Sequence, residues 1–249
     1  MRRLIHRLIL VAALLAFPLG CLGTPPHPYT LAPGHEGAPG VEAFLLLPLN
    51  LTVSLPSELE ASSEGVSDAI LDYLREAGRD VSDLSFHAAR EEWDRTVNEV
   101  EASASLLDDF PTAARRFVER LRESRDFDVM IMPNLVYRDG KIRGRFHVVC
   151  DGVRRRIERR KRIPASLKAM RCVSLSVMVF DREGAMVFES YGGLDLPVAI
   201  DFEEYRITFP LREDRLTDVT LLREGIGVAF DPYILRVVPP EEESTVASP

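Results

Sequence analysis

The sequence predicts an α/β fold, a two-layer or three-layer sandwich in which helices cover a mixed sheet with an antiparallel meander at 127–191. Three observations carry this. Residues 127–191 hold four successive β-rich runs. Most of what precedes them, from 62 to 121, repeats apolar residues every three or four positions, the period of a helix face. An almost continuous apolar run, Ala43-Phe-Leu-Leu-Leu-Pro-Leu-Asn50, comes before those helices and suits a strand covered on both sides.

The chain opens with Arg2, Arg3 and Arg7 ahead of the apolar run Leu8 to Phe17, closed by Pro18-Leu19-Gly20-Cys21. A basic, then apolar, then small-residue order of this length makes residues 1–20 an export signal peptide rather than a membrane span. The pair Gly20-Cys21 resembles the lipobox of bacterial lipoproteins, although Pro18 and Leu19 stand where that family prefers Leu and a small residue. The resemblance implies cleavage before Cys21 and acylation of its thiol and new amino end, palmitate being a typical chain. Three chains exceed the two signals that stable anchoring needs. Leu22 after the Cys resembles the class sorted to the periplasmic face of the outer membrane. An ordinary secretory peptide with an incidental Cys is the alternative.

Loss of residues 1–20 removes three of 31 basic residues and none of 39 acidic ones, leaving 28 − 39 = −11. An exported, acidic chain excludes nucleic acid as a sensible partner. No later run approaches the roughly 18 apolar residues of a span, so a membrane is reached through the lipid on Cys21. Residues 21–40 carry Pro25, Pro26, Pro28, Pro33 and Pro39 among glycines and read as a tether.

Residues 41–238 are expected to form one α/β domain. After the strand at 41–50, Val66, Ala69, Ile70, Tyr73 and Ala77 make one helical face, stopped by Gly78. Phe86, Ala89, Trp93, Val97, Val100, Ala104 and Leu107 make a second. Phe110-Pro111 opens a third helix with Ala114, Phe117, Val118 and Leu121 inward. The meander follows: 126–137 and 141–150 joined at Asp139-Gly140, then 172–180 and 185–191 joined by Asp181-Arg-Glu-Gly184. Pro133 removes a ladder donor and predicts an edge or a bulge. A short strand at 205–209 and a last helix through Leu216, Val219, Leu222, Ile226 and Phe230 complete the domain. Residues 239–249 read as a disordered acidic tail.

The order of these elements resembles an α/β domain shared by the curli secretion lipoprotein, the outer-membrane lipoprotein activators of cell-wall synthases and the amino-terminal domain of the periplasmic Tol protein. Leu45-Leu-Leu-Pro48-Leu-Asn50, Asp68-Ala-Ile-Leu-Asp-Tyr-Leu74, Asp126-Phe-Asp-Val-Met-Ile131 and Phe180-Asp-Arg-Glu-Gly184 carry the resemblance, which spans about 43–196. It implies a non-enzymatic envelope protein.

The segment 151–171 is strongly basic, with Arg154, Arg155, Arg156, Arg159, Arg160, Lys161 and Arg162 close together. It reads as a solvated charge run, as a contact for anionic lipid headgroups, or as a dock for an acidic protein partner. Pairing 141–150 with 172–180 about position 161 sets Cys150 opposite Cys172, and two facing thiols in an exported protein oxidise. The same register sets Ser174 against Val148 and Ser176 against Phe146, polar on apolar, which counts against it, so two separate thiols are the alternative to the expected Cys150–Cys172 disulfide.

No sequence motif for a nucleophile elbow, a zinc helix, a phosphate loop or a paired-Cys metal site is present, so neither cofactor, metal nor catalytic residue is assigned. The expected function is that of a lipid-anchored envelope protein acting as a binding, assembly or activator factor. The alternative is a periplasmic hydrolase whose carboxylates converge only in three dimensions, marked by a cleft with shifted carboxyl groups.

Overall fold

Ten strands and four α-helices form among the residues that this computed structural model describes, 27–35, 37–38, 43–103, 109–144, 146–157, 167–203 and 206–234. The expected signal peptide 1–20, Cys21, the basic residues Arg159, Arg160, Lys161 and Arg162, and the tail 239–249 lie outside them. The strands are β1 (Tyr29–Leu31), β2 (Ala43–Leu46), β3 (Asp80–Asp83), β4 (Val129–Arg143), β5 (His147–Cys150), β6 (Val153–Arg156), β7 (Ala169–Phe180), β8 (Met186–Asp195), β9 (Asp201–Glu203) and β10 (Arg206–Thr208). The helices are α1 (Glu60–Glu76), α2 (Phe86–Ser103), α3 (Asp109–Ser124) and α4 (Val219–Phe230).

The main sheet runs β1-β8-β7-β4-β2-β3, with β5 joining β4 and β6 joining β5, while β9 and β10 pair separately. Strand β2 lies parallel to both β3 and β4, and the other pairs are antiparallel, so the sheet is mixed. Four strands were not foreseen: β1, β3, β6 inside the expected basic loop, and β9. β3 is exposed along most of its length and lacks an apolar pattern. β1 falls inside the expected tether and adds Tyr29–Leu31 to the β8 edge, so the ordered unit starts earlier than residue 41.

Side-chain alternation sends neighbouring strand residues to opposite faces. Phe44, Leu46, Ile131 and Leu135 meet Val66, Ile70 and Tyr73 of α1 and Ile226 and Phe230 of α4. Leu45, Leu47, Met130 and Met132 meet Ala89 and Trp93 of α2 and Phe117 and Val118 of α3. Trp93 is core, set edge-on to Phe117 at 5.2 Å. Phe86 and Val219, expected on inward faces, are 54% and 67% exposed, because each opens its helix before the packed turn begins.

Pro133 sits in a central strand, neither at an edge nor bulged, and pairs with Val177. The carbonyls of Ile131 and Pro133 accept from Leu47 and Asn50, and the Leu135 N–H donates to Asn50 Oδ1. These groups all face the β2 side, so the missing Pro133 donor falls just beyond the end of β2 and costs the β7 ladder nothing.

The expected turn at Asp139-Gly140 does not form. β4 runs straight through it to Arg143 and pairs with β7 from Met130 to Lys141, so β4 rather than 141–150 is the partner of β7. Gly140 is needed for a different reason: a Cβ there would run into Val148. The Asp-Gly hairpin lies at Asp151-Gly152, where φ values of 38° and 84° suit a two-residue turn between Cys150 and Val153. The β5–β6 hairpin then folds back until the Gly193 N–H donates to the Asp151 carbonyl at 3.2 Å. β8 reaches Asp195, beyond its expected end, because Gly192 and Gly193 admit α4 and the hairpin at backbone distance. A Cβ on Gly193 would collide with the Cys150 carbonyl. Gly193→Ala should therefore lower stability by about 1–3 kcal/mol, read from the urea midpoint, and an unchanged midpoint would show that the hairpin is not docked there.

Candidate functional site

The corner built by β4, β5 and β6 joins the two predicted features, the cysteines and the basic segment. Its inner face is apolar: Val148, Cys150, Val153, Ile157, Met170, Cys172, Leu196, Ile200 and Val228 form one buried cluster. Cys150 and Cys172 are disulfide-bonded, with Cα atoms 6.5 Å apart. The bond is not a rung between adjacent strands. Cys172 lies opposite Arg138 of β4, while Cys150 comes over the sheet on the folded-back hairpin. That geometry removes the objection raised by the serines. Ser174 faces Val136 and Gly193, and its hydroxyl donates to Asp151 Oδ2 at 2.7 Å.

Arg155, expected in a solvated loop with its neighbours, is 2% exposed and is not a surface residue. Its Nε donates to the Leu194 carbonyl at 2.7 Å, and Nη2 to the Gly193 and Leu221 carbonyls at 2.9 and 2.8 Å. Nη1 pairs with Glu224 of α4. This arginine ties β6 to β8 and α4, using the planar fork that only guanidinium offers.

Arg154 and Arg156 point the other way and are exposed. The ladder aligns Lys141 with Val149 and Val149 with Arg154, and it aligns Arg143 with His147 and His147 with Arg156. Directly opposed residues share a face, and residues two apart on one strand share it too. Lys141, Arg143, His147, Arg154 and Arg156 thus form one exposed outer array, about 10 Å across by the spacing of strands. Arg171 on β7 borders it, 5.0 Å from the Tyr137 ring, and Asp139, opposite Arg171, lies on the same face. Among the described residues Lys141, Arg143, Arg154 and Arg156 have no ion-pair partner. Arg90, Arg95, Arg116, Arg120, Arg138, Arg182 and Arg212 do, while Arg75, Arg115, Arg122 and Arg125 share the lack, so what marks the array is that its cations lie together on one face. Of the seven basic residues singled out by sequence, two lie on this array, one is buried and four fall outside the described residues. Lys141 and Arg143 join them only through the register.

Sequence reasoning also missed a polar row on the sheet. Asn134, Ser176 and Tyr191 lie side by side across β4, β7 and β8. Arg138 stacks on Tyr191 at 4.2 Å and pairs with Asp151 at 2.7 Å. Burial, and then the hydrogen bond that its hydroxyl donates to the Glu189 carboxylate, push the Tyr191 phenol above its usual range. The signal was the Ser174–Ser176 alternation itself.

A groove of about 710 Å³ opens at the carboxyl end of β2, where α1 leaves on one side and α2 packs on the other, lined by Asn50, Glu60, Glu64, Phe86 and Arg90. Arg90 is committed to the Leu51 carbonyl and to Asp94. The carboxyl groups with resolved shifts lie elsewhere and are both lowered. Backbone hydrogen bonding and then the Ser57 hydroxyl lower Glu58, and the Arg212 guanidinium lowers Asp214. A general acid at neutral pH needs the opposite shift. Among the described residues no three His, Cys, Asp or Glu side chains gather as metal ligands, and no helix is long and apolar enough to cross a membrane.

No known protein family matches the sequence, and no curated protein matches it. Among solved structures, a PelC dodecamer from Paraburkholderia phytofirmans aligns with a TM-score of 0.35 and 12% identity, over 84% of this chain and 99% of that one. A likeness of that size carries neither family nor function.

Proposed function

We propose that this chain is a lipid-anchored protein of the bacterial envelope, held at the periplasmic face of the outer membrane through Cys21, that binds or positions another component without catalysing a reaction. The observation that carries the reading is the basic array: exposed cations, without an ion-pair partner among the described residues, held in register on a ribbon whose inner face is core and cross-linked. A ribbon fixed in this way loses little conformational entropy when it binds. The disulfide supports an oxidising compartment, and the segment ending at Gly20-Cys21 supports export with acylation. The separate clusters that α1 with α4 and α2 with α3 make on alternate strand residues support a three-layer sandwich. The anionic surface that would complement the array belongs to an acidic envelope protein or to lipid.

Cys21→Ala should move the protein from the membrane to the soluble fraction, and the mass of the native protein should correspond to cleavage before Cys21 plus three acyl chains. An unacylated native chain would remove the anchor. Crosslinking from position 154 in intact cells should recover a specific acidic component, and failure of position 154 to crosslink above a site on α3 would count against the array as a binding surface.

A further inference from the structure

We propose that the basic array lies against the anionic phospholipid headgroups of the bilayer that carries the anchor, so that anchor and ribbon together hold the domain in one orientation; this rests on the reading of Cys21 as lipidated. The observation behind it is where the chain enters the fold. His27, the first described residue, donates from Nε2 to the Asp231 carbonyl at 2.8 Å, and its ring lies 5.4 Å from the Tyr29 ring, tilted by 34°. A Cβ built on Gly152 would lie 2.7 Å from the His27 Cβ, so His27 sits on the Asp151-Gly152 turn. The chain therefore leaves the domain at the tip of the hairpin that bears Arg154 and Arg156.

Cys21 precedes His27 by six positions. Fully extended, that length reaches about 21 Å, and a proline-rich segment spans less. Attraction to a charged surface decays over about 8 Å at physiological salt, so a patch far from the anchor would spend little time in the field. This patch cannot go far. The short tether keeps the local headgroup concentration high, and it adds to the affinity without any new contact. Charge sets the orientation as well. With a net charge near −11 for the exported chain, an anionic bilayer repels the body of the domain and attracts the array, and the two forces turn the array toward the surface.

The test separates the face from the anchor. The chain beginning at Leu22, which keeps every described residue and lacks the lipid, is mixed with vesicles of phosphatidylcholine alone or of phosphatidylcholine with phosphatidylglycerol. Sedimentation should show binding to the second kind only, lost as salt rises. The combined variant Lys141→Glu, Arg143→Glu, Arg154→Glu, Arg156→Glu should bind at least about tenfold less. The pair Arg154→Glu, Arg156→Glu serves if that variant fails to fold, and Arg116→Glu on α3 should bind as the parent does. Equal binding to both vesicle types, or undiminished binding by the reversed variants, would overturn the proposal in favour of a protein partner. Acylation is read independently from the mass of the native protein. An unacylated Cys21 beside charge-dependent binding would overturn the anchored orientation alone.

Discussion

Replacing Arg155 by Ala should cost about 3–5 kcal/mol of folding stability, while Arg154→Ala and Arg156→Ala should stay within about 0.5 kcal/mol. Adjacent arginines on one short strand would then differ by a large fraction of the roughly 5–15 kcal/mol that stabilises an ordinary domain. The difference lies in where they point. Arg155 is buried and gives hydrogen bonds to the carbonyls of Gly193, Leu194 and Leu221. Without it those acceptors remain in a protein interior, each costing about 1–3 kcal/mol if water does not reach it. Glu224 is half exposed and keeps most of its solvation, so the loss comes mainly from the carbonyls. Arg155→Lys should rescue little, because an ammonium group cannot serve carbonyls and a carboxylate in one plane. Urea unfolding of the three alanine variants reads this directly. Similar midpoints for all three would mean that the guanidinium is not a tie between β6, β8 and α4.

Removal of the disulfide, as Cys150→Ala with Cys172→Ala, should cost about 3 kcal/mol by loop entropy for a closed segment of 22 residues. The bond also backs the cluster of Val148, Val153, Ile157 and Met170, which has no helix lid of its own apart from Val228. The same end of the hairpin is held by Arg155, so the two losses should not add: the triple variant should be destabilised by an amount that differs from the sum by 0.5 kcal/mol or more. Unfolding with and without reductant, followed by alkylation and mass measurement, tests both statements. A midpoint indifferent to reductant would place the stability of this corner elsewhere. Loss of the disulfide should also weaken any charge-dependent binding more than it weakens the rest of the fold, because the array is the outer side of the ribbon that the bond secures.

The parts of the fold that could be read in advance are those in which one periodic pattern serves one buried face. Val66, Ile70 and Tyr73, then Ala89, Trp93 and Val100, then Ala114, Phe117 and Val118 repeat at helical spacing because each helix covers a sheet on one side only. The run 141–150, expected as one strand, is divided between two, although charged and apolar side chains alternate along it. β4 ends at Arg143 and β5 starts at His147, and the pairs Arg143 with His147 and Ile142 with Val148 keep odd residues on one side and even residues on the other. A turn that preserves parity leaves the pattern unbroken, so the alternation could not show where the chain reverses.

The Asp-Gly turn was read at the wrong one of two places. Asp139-Gly140 and Asp151-Gly152 are equivalent as local signals, and both flank β-rich runs. What separates them is nonlocal: β7 pairs through position 140, where glycine is needed to let Val148 pass, while Gly152 takes the positive φ of a tight turn. The disulfide was anticipated from a register that does not exist, and the cysteines meet through a hairpin folded over the sheet. Arg155 was invisible in a run of arginines because nothing local marks the one that will face inward. β1 and β3 were missed for the same reason, being three and four residues long and bound to the sheet by neighbours distant in sequence.

By itself, the sequence determined the α/β class, the helical faces, the acidic balance and the presence of a cationic segment, since composition and short-range periodicity report directly on burial and charge. Only the tertiary structure decided which cations share a surface, which one is buried, how Cys150 reaches Cys172, and that His27 enters at the hairpin tip. Those are matters of register and chain return, settled by backbone pairing and close glycine contacts between segments far apart in the chain.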